Sequence, residues 1–225
     1  KTGPPWQAQV DTAFLAITRR CRYRCRHCYE YPNLADEESV PIQRWKEVVR
    51  EIQRIGTTIV VFSGGEPLLR YEGLVELLES GDKTLSDFHV HTSGDGLTFE
   101  RALELKSVGL TAAGVSIDDF DPARQDEFRN HRGAHTESVL ALRYFREAGV
   151  LPYINLCLRK ELLQSDRIWE FYEFVRSLNA AFLVLLEPTP WGGYYHEDAE
   201  SLFSDEDRKY VTEFFRKAGR DRRYE

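Results

Sequence analysis

Cys21, Cys25 and Cys28 stand in the run CRYRCRHCYE, spaced C-x3-C-x2-C, with no fourth cysteine nearby. Clustered thiols of this kind hold metal. A structural zinc site takes four protein ligands. The only local candidate for the fourth, His27, lies directly beside Cys28, a poor position for closing a tetrahedron with it. An iron–sulfur cube held by three thiolates keeps one iron open for another ligand. A redox pair of Cys25 and Cys28 leaves Cys21 without a role. Disulfides would have only Cys157 left to recruit. The spacing favours the cluster over zinc, and zinc over thiol chemistry.

Arg19, Arg20, Arg22, Arg24 and Arg26 surround the cysteines, although the whole chain carries a formal charge of −7. The local positive charge either offsets the negative charge of thiolate-bound iron or offers a docking surface to an acidic electron donor. The overall charge gives no footprint for nucleic acid. With 42% apolar residues, a chain of 225 residues sustains one large domain. No apolar run approaches the ~18 residues of a membrane span, and KTGPPWQAQVD has no apolar signal segment. Four cysteines, three of them clustered, suit a reducing cytoplasm. A cytoplasmic protein with no membrane or nucleic-acid partner is expected. The chain starts at Lys1, contains no Met and stops at RDRRYE just after a helical pattern, which suggests a fragment.

The elements that must position these residues alternate. β-rich runs fall at 13–18, 58–62, 87–92, 111–117, 152–158 and 181–187, with helical periodicity at 42–55, 71–79, 98–107, 137–148, 167–178 and 206–217. Thr136 is placed to cap the fourth helix and Gly149 to end it. Six β-then-α units predict an α/β fold, a partial (β/α)6 TIM-like barrel of parallel strands over 12–218. Residues 1–11 are read as an N-terminal extension and 219–225 as the start of a possible C-terminal one. Sites in such sheets lie at the C-terminal strand ends. The cysteines follow the first strand, SGGEPLL the second, SGDG the third and Asp118-Asp119 the fourth. The stretch 188–204 reads as a loop over that rim. Strand alternation puts His89, His91, Ser116, Asp118, Tyr153, Asn155, Cys157 and Glu187 on the concave face. So polar a face suggests a substrate cavity, with His89, His91, Asp118, Tyr153, Asn155 and Glu187 as lining.

C-x3-C-x2-C after a first strand, Gly-Gly-Glu-Pro after a second and six β/α units together resemble the radical S-adenosylmethionine (radical SAM) superfamily, over nearly the whole chain. The wording CRHCYE, SGGEPLL and VSIDD resembles the branch of peptide-maturing enzymes, sulfatase-maturing enzymes and the molybdenum-cofactor cyclase. The resemblance implies that Cys21, Cys25 and Cys28 hold three irons of a [4Fe-4S] cluster, and that the amino and carboxylate groups of S-adenosylmethionine (SAM) chelate the fourth. It further implies that Gly64 and Gly65 let the backbone approach closely and that Glu66 accepts from the bound ammonium. His27, followed by Tyr29, would pack near the adenine. Ser116 would contact the ribose or carboxylate end, and Arg129 would pair with the carboxylate. Asp119 stands where many relatives have Gly.

The implied reaction begins with one electron from a donor such as flavodoxin or ferredoxin. The sulfonium S–C5′ bond breaks, methionine leaves, and a 5′-deoxyadenosyl radical takes hydrogen from a substrate. That substrate would be a peptide or protein side chain or backbone, or else a small metabolite or cofactor precursor. Cys157 is either a small apolar core residue or a cavity-facing thiol that returns a hydrogen atom to the substrate radical. Many members of that branch carry further clusters on a cysteine-rich C-terminal extension, expected here beyond Glu225 if at all. The competing readings are an iron–sulfur electron carrier, which needs no cavity, and a zinc-stabilised binding module.

Overall fold

The computed structural model describes residues 10–31, 33–35, 37–38, 40–164, 166–193 and 202–221. Its elements run β1 (Thr12–Thr18), α1 (Ile42–Arg54), β2 (Ile59–Gly64), a 3-10 turn (Pro67–Arg70) leading into α2 (Tyr71–Ser80), β3 (Asp87–Thr92), α3 (Phe99–Ser107), β4 (Leu110–Ser116), α4 (Pro122–Arg129), α5 (Ala134–Glu147), β5 (Leu151–Cys157), α6 (Lys160–Gln164), α7 (Arg167–Ser177), β6 (Leu183–Leu186) and α8 (Asp205–Ala218). The six strands pair in chain order and all in parallel. β1 and β6 are the edges of the sheet. It nevertheless curls, because Thr12 and Phe14 of β1 line the same cavity as Val184 and Leu186 of β6. No described helix is long and apolar enough to cross a membrane.

Alternation along each strand builds the two faces. Val60 and Phe62 in β2, Phe88 and Val90 in β3, Ala113 and Val115 in β4, and Ile154 and Leu156 in β5 are fully buried, and they join the helical Leu74, Leu77, Leu105, Phe145 and Phe171 in one core. Each large apolar side chain so buried contributes roughly 1.5–3 kcal/mol. The other set of residues, including His89, His91, Gly114, Tyr153 and Asn155, faces the concave side. Parallel register aligns His91 with Gly114 and Gly114 with Tyr153.

The structure departs from the periodicity reading in four places. The short helices α4 and α6 carry too few apolar residues to register as stripes. α5 begins at Ala134, with Thr136 inside it. Its start is set by Gly133 at φ 93° and by the Asp126 carboxylate, which accepts from the amides of Gly133 (2.6 Å) and His135 (3.0 Å). Gly149, at φ 78°, does follow the helix end. β6 is four residues long rather than seven, as befits an edge strand with one neighbour.

Candidate functional site

The cysteine loop leaves β1 and is pinned at once by the Gly-Gly-Glu turn after β2. Gly65 N–H donates to the Thr18 carbonyl (2.8 Å) and Glu66 N–H to that of Arg20 (2.7 Å). A Cβ at Gly64 would lie 2.3 Å from the Thr18 oxygen, and one at Gly65 2.2 Å from the Arg20 oxygen. Gly64 also needs its φ of +130°, which glycine adopts without steric cost.

Further anchors follow along the loop. Tyr23 is buried, stacks on His131 at 4.0 Å and donates its hydroxyl to Glu137 of α5. Arg22 clasps Asp95 with two hydrogen bonds of 2.7 and 2.5 Å. Arg24 donates to the carbonyls of Cys21 (2.6 Å) and Tyr23 (2.9 Å), and Arg19 to that of Asn33 (2.6 Å). The arginines therefore fold the loop as well as charging it. From the far edge of the sheet, Gly193 N–H donates to the Cys28 carbonyl (2.8 Å). Cβ atoms at Gly192 and Gly193 would collide with the Cys28 and Arg26 carbonyls, at 2.3 and 2.2 Å. This is where the expected rim loop 188–204 closes on the site; its residues 194–201 lie outside the described residues.

The thiols of Cys21, Cys25 and Cys28 open into a cavity of about 160 Å³ that is also lined by His27, Tyr29, Gly64, Gly65, Glu66, Ser93, Ser116, Arg129, Asn155 and Cys157. Burial pushes the Cys21 thiol up to about 12 and raises Cys25 and Cys28 as well. Such thiols ionise only against a bound cation. Among the described residues no three His, Cys, Asp or Glu side chains converge on a single ion. Three thiols facing one cavity suit an iron–sulfur cluster with an open iron better than a closed four-ligand zinc site.

Several placements revise the expectations. Glu66 is 1% exposed, and its carboxylate already accepts four hydrogen bonds: from Leu68 N (3.1 Å), Thr92 Oγ1 (2.6 Å), Ser93 N (2.8 Å) and Ser93 Oγ (2.6 Å). These bonds make Glu66 a tie between the ends of β2 and β3, at the wall of the thiol cavity. Arg129 is no surface residue: its side chain is 9% exposed. Its Nε donates to Asp118 Oδ2 (2.6 Å), and its Nη1 lies 3.9 Å from Cys25 Sγ. Asp118 is fully buried beneath the cavity rather than lining it, and its Oδ1 accepts from Cys157 N (2.8 Å). β4 ends at Ser116, so strand alternation does not carry to position 118. Glu187 likewise lies past the end of β6, exposed and bound to Arg208 (2.8 Å), outside the cavity. Cys157 lines the thiol cavity, against Phe128, and not the deeper one. Asp119 is buried between Arg159 (2.7 Å) and Arg167 (3.1 Å).

His27 stacks on Phe128 at 4.6 Å; burial holds it down at about 4, and its Nδ1 has no partner. Tyr29 is half exposed, with its hydroxyl 2.9 Å from Ser63 Oγ. Asn155 is 5% exposed and its Oδ1 is also without a partner. Below the thiols a second cavity, of about 510 Å³, holds His89, His91 and Tyr153, and it shares Tyr29, Ser63, His91, Asn155 and Leu186 with the first. Sequence reasoning reached Ser93 only as part of the SGDG run on the rim and did not single out Tyr23, Gly114 or the Gly192-Gly193 pair. Gly192-Gly193 carries a local signal too, a glycine pair in a rim loop, whereas Tyr23 and Gly114 carry none.

A profile of the family described as "Radical SAM superfamily" matches residues 15–174. The chain belongs to the radical SAM superfamily. It is 30% identical over 146 residues to the Fe-coproporphyrin III synthase of Methanosarcina barkeri, covering 64% of this chain and 36% of that protein. It is 30% identical over 152 residues to the PqqA peptide cyclase of Bradyrhizobium diazoefficiens, covering 67% of this chain and 40% of that one. An AdoMet-dependent heme synthase of Oleidesulfovibrio alaskensis is 24% identical over 203 residues, 88% of this chain and 51% of its own length. The chain thus spans about half or less of these relatives. In fold it is similar to Streptococcus suis SuiB bound to its precursor peptide SuiA, with a TM-score of 0.75 and 18% identity over 94% of this chain and 47% of SuiB. The radical SAM family uses a [4Fe-4S] cluster and SAM, and fold neighbours have been solved with SAM bound. Here the donor set of three thiols, the glycine cradle, Arg129 and the unpartnered Asn155 Oδ1 and His27 Nδ1 fit that pair.

Proposed function

We propose that this radical SAM chain generates a substrate radical on a peptide. Cys21, Cys25 and Cys28 would hold the cluster, and Gly64, Gly65, Ser116, His27, Tyr29 and Arg129 would seat SAM against it. When bound, the pair supplies a 5′-deoxyadenosyl radical. The protein's own part is to exclude water and to aim the substrate. The observation that carries the reading is the wall shared by the two cavities. Ser63, His91 and Asn155 face both the thiol pocket and the deeper chamber, so a group held below lies next to whatever the thiols activate. An electron carrier needs no such chamber.

The likeness to PqqA peptide cyclases supports a peptide, and that to the coproporphyrin and heme synthases supports a cofactor precursor as the second reading. Arg20, Arg24 and Arg26 are exposed on the cysteine loop, which suits docking of an acidic one-electron donor such as flavodoxin or ferredoxin. The test is anaerobic reconstitution followed by reduction with dithionite in the presence of SAM. About four irons per chain and formation of 5′-deoxyadenosine are expected, and Cys25→Ala should abolish both. Stoichiometric zinc with no 5′-deoxyadenosine would overturn the proposal.

A further inference from the structure

Among the described residues the deeper chamber is lined by thirteen: Thr12, Tyr29, Ser63, Asn155 and nine that are aliphatic, aromatic or histidine, with no Asp, Glu, Lys or Arg among them. Phe14 is 63% exposed and Phe182 44%, unusually bare for aromatic rings on an inner sheet face. Burial holds His91 down at about 4 and lowers His89 too, so neither offers a positive charge at neutral pH. A carboxylate entering here would meet no cation among the described residues and would give up part of its hydration against apolar rings, which is unfavourable. An aromatic ring would cover the bare rings and gain their edge or face contacts.

One polar feature is built into this wall. His91 Nε2 and Tyr153 Oη lie 2.8 Å apart. They meet across Gly114, where a Cβ would lie 2.6 Å from Tyr153 Cε2 and from Asn155 Nδ2, and 2.8 Å from His91 Cδ2. A neutral imidazole has one donor and one acceptor nitrogen. With His91 Nε2–H donating to the tyrosine, the Tyr153 O–H remains to donate to a ligand; with Tyr153 donating, its oxygen keeps a lone pair to accept from one. From these observations we infer that the chamber receives an uncharged aromatic group of the substrate, a phenol or indole ring, with its polar edge at the His91–Tyr153 pair. The inference rests on the radical reading of the adjoining thiol pocket and specifies its substrate class.

The experiment uses the chain loaded with its cluster and saturated with SAM, under anaerobic conditions. Saturation-transfer NMR reads binding of p-cresol, indole and benzoate at pH 7.5. p-Cresol and indole should bind saturably and compete with each other, with benzoate weaker by more than about tenfold. Two variants check the site. Val61→Trp fills the chamber floor and should abolish cresol binding. Val184→Arg, on the edge strand where a long side chain is tolerated, should weaken cresol and strengthen benzoate by about tenfold. Iron content and circular dichroism verify that each variant folds. N-acetyl-tyrosinamide binding more tightly than p-cresol would mark a peptide source for the ring, and weaker binding a free small molecule. Benzoate binding as well as cresol in the unmodified protein, or cresol binding indifferent to both substitutions, would overturn the inference. Formation of 5′-deoxyadenosine is measured in parallel on the unmodified protein. If it forms while cresol fails to bind, only the aromatic assignment falls. If it does not form, the radical reading falls and the assignment of a substrate ring falls with it.

Discussion

At the scale of residues, the thiol pocket is held by buried carboxylates bonded to the protein's own groups. Glu66 spends its lone pairs on Leu68, Thr92 and Ser93, and Asp118 spends its own on Arg129 and the Cys157 amide. Asp118 thereby aims a buried guanidinium at Cys25. Breaking one side of a buried pair leaves the other charge uncompensated, at a cost of about 3–5 kcal/mol. Asp118→Asn keeps the shape and removes the charge. It should lower stability by on the order of 3 kcal/mol in urea unfolding and weaken SAM binding in calorimetry on the reconstituted protein. Unchanged SAM affinity with reduced stability would leave Asp118 a purely structural residue.

At the scale of elements, the site is a meeting of strand ends, and that explains what could be read from sequence. The cysteine triplet and Gly-Gly-Glu-Pro are contiguous runs, so their chemistry was visible in the chain. The parallel α/β order was visible because β-rich runs and helical stripes alternate. The concave residues His89, His91, Tyr153 and Asn155 were visible as long as the strand continued; Asp118 and Glu187 were misplaced because β4 and β6 stop one or two residues earlier. Tyr23, Ser93 and Gly114 owe their roles to contacts across 27 to 114 positions of chain or to register with neighbouring strands, which no local pattern encodes. The segment after β6 belongs to the same category. Gly192 has a φ of +59° and rests on the Cys28 carbonyl. Gly192→Ala combines left-handed backbone strain with a collision at 2.3 Å and should push this segment off the cysteine loop. Lower iron occupancy and faster bleaching of the cluster absorbance in air are expected, with secondary structure by circular dichroism unchanged. Iron retention equal to that of the unmodified protein would show that the contact is incidental to the cluster.

At the scale of the whole molecule, the fold buries histidines of the cysteine loop, of β3 and of α5, in part or fully. Burial holds His27 and His91 down at about 4 and lowers His89 and His135. For each, the folded value lies below the unfolded value of about 6.5. Between those two values the unfolded chain binds protons that the folded chain refuses, so stability is complete above about pH 6.5 and falls as the pH drops through the window. His91 is the one to test, since it lies away from the cysteines and its near titratable neighbours are Tyr153 and His89. Burial pushes Tyr153 up to about 12, so it stays neutral throughout the window. His91→Asn removes the titration while keeping a polar group at the wall. Between pH 7.5 and 5 the unmodified protein should lose more stability than His91→Asn, by on the order of 1 kcal/mol once partial exposure is allowed for. Differential scanning calorimetry of both proteins across that range measures it, and cluster loss in acid, common to both, cancels in the comparison. Parallel curves would mean that water reaches His91 and protonates it in the folded state, and a chamber wet enough for that would not favour an uncharged ring.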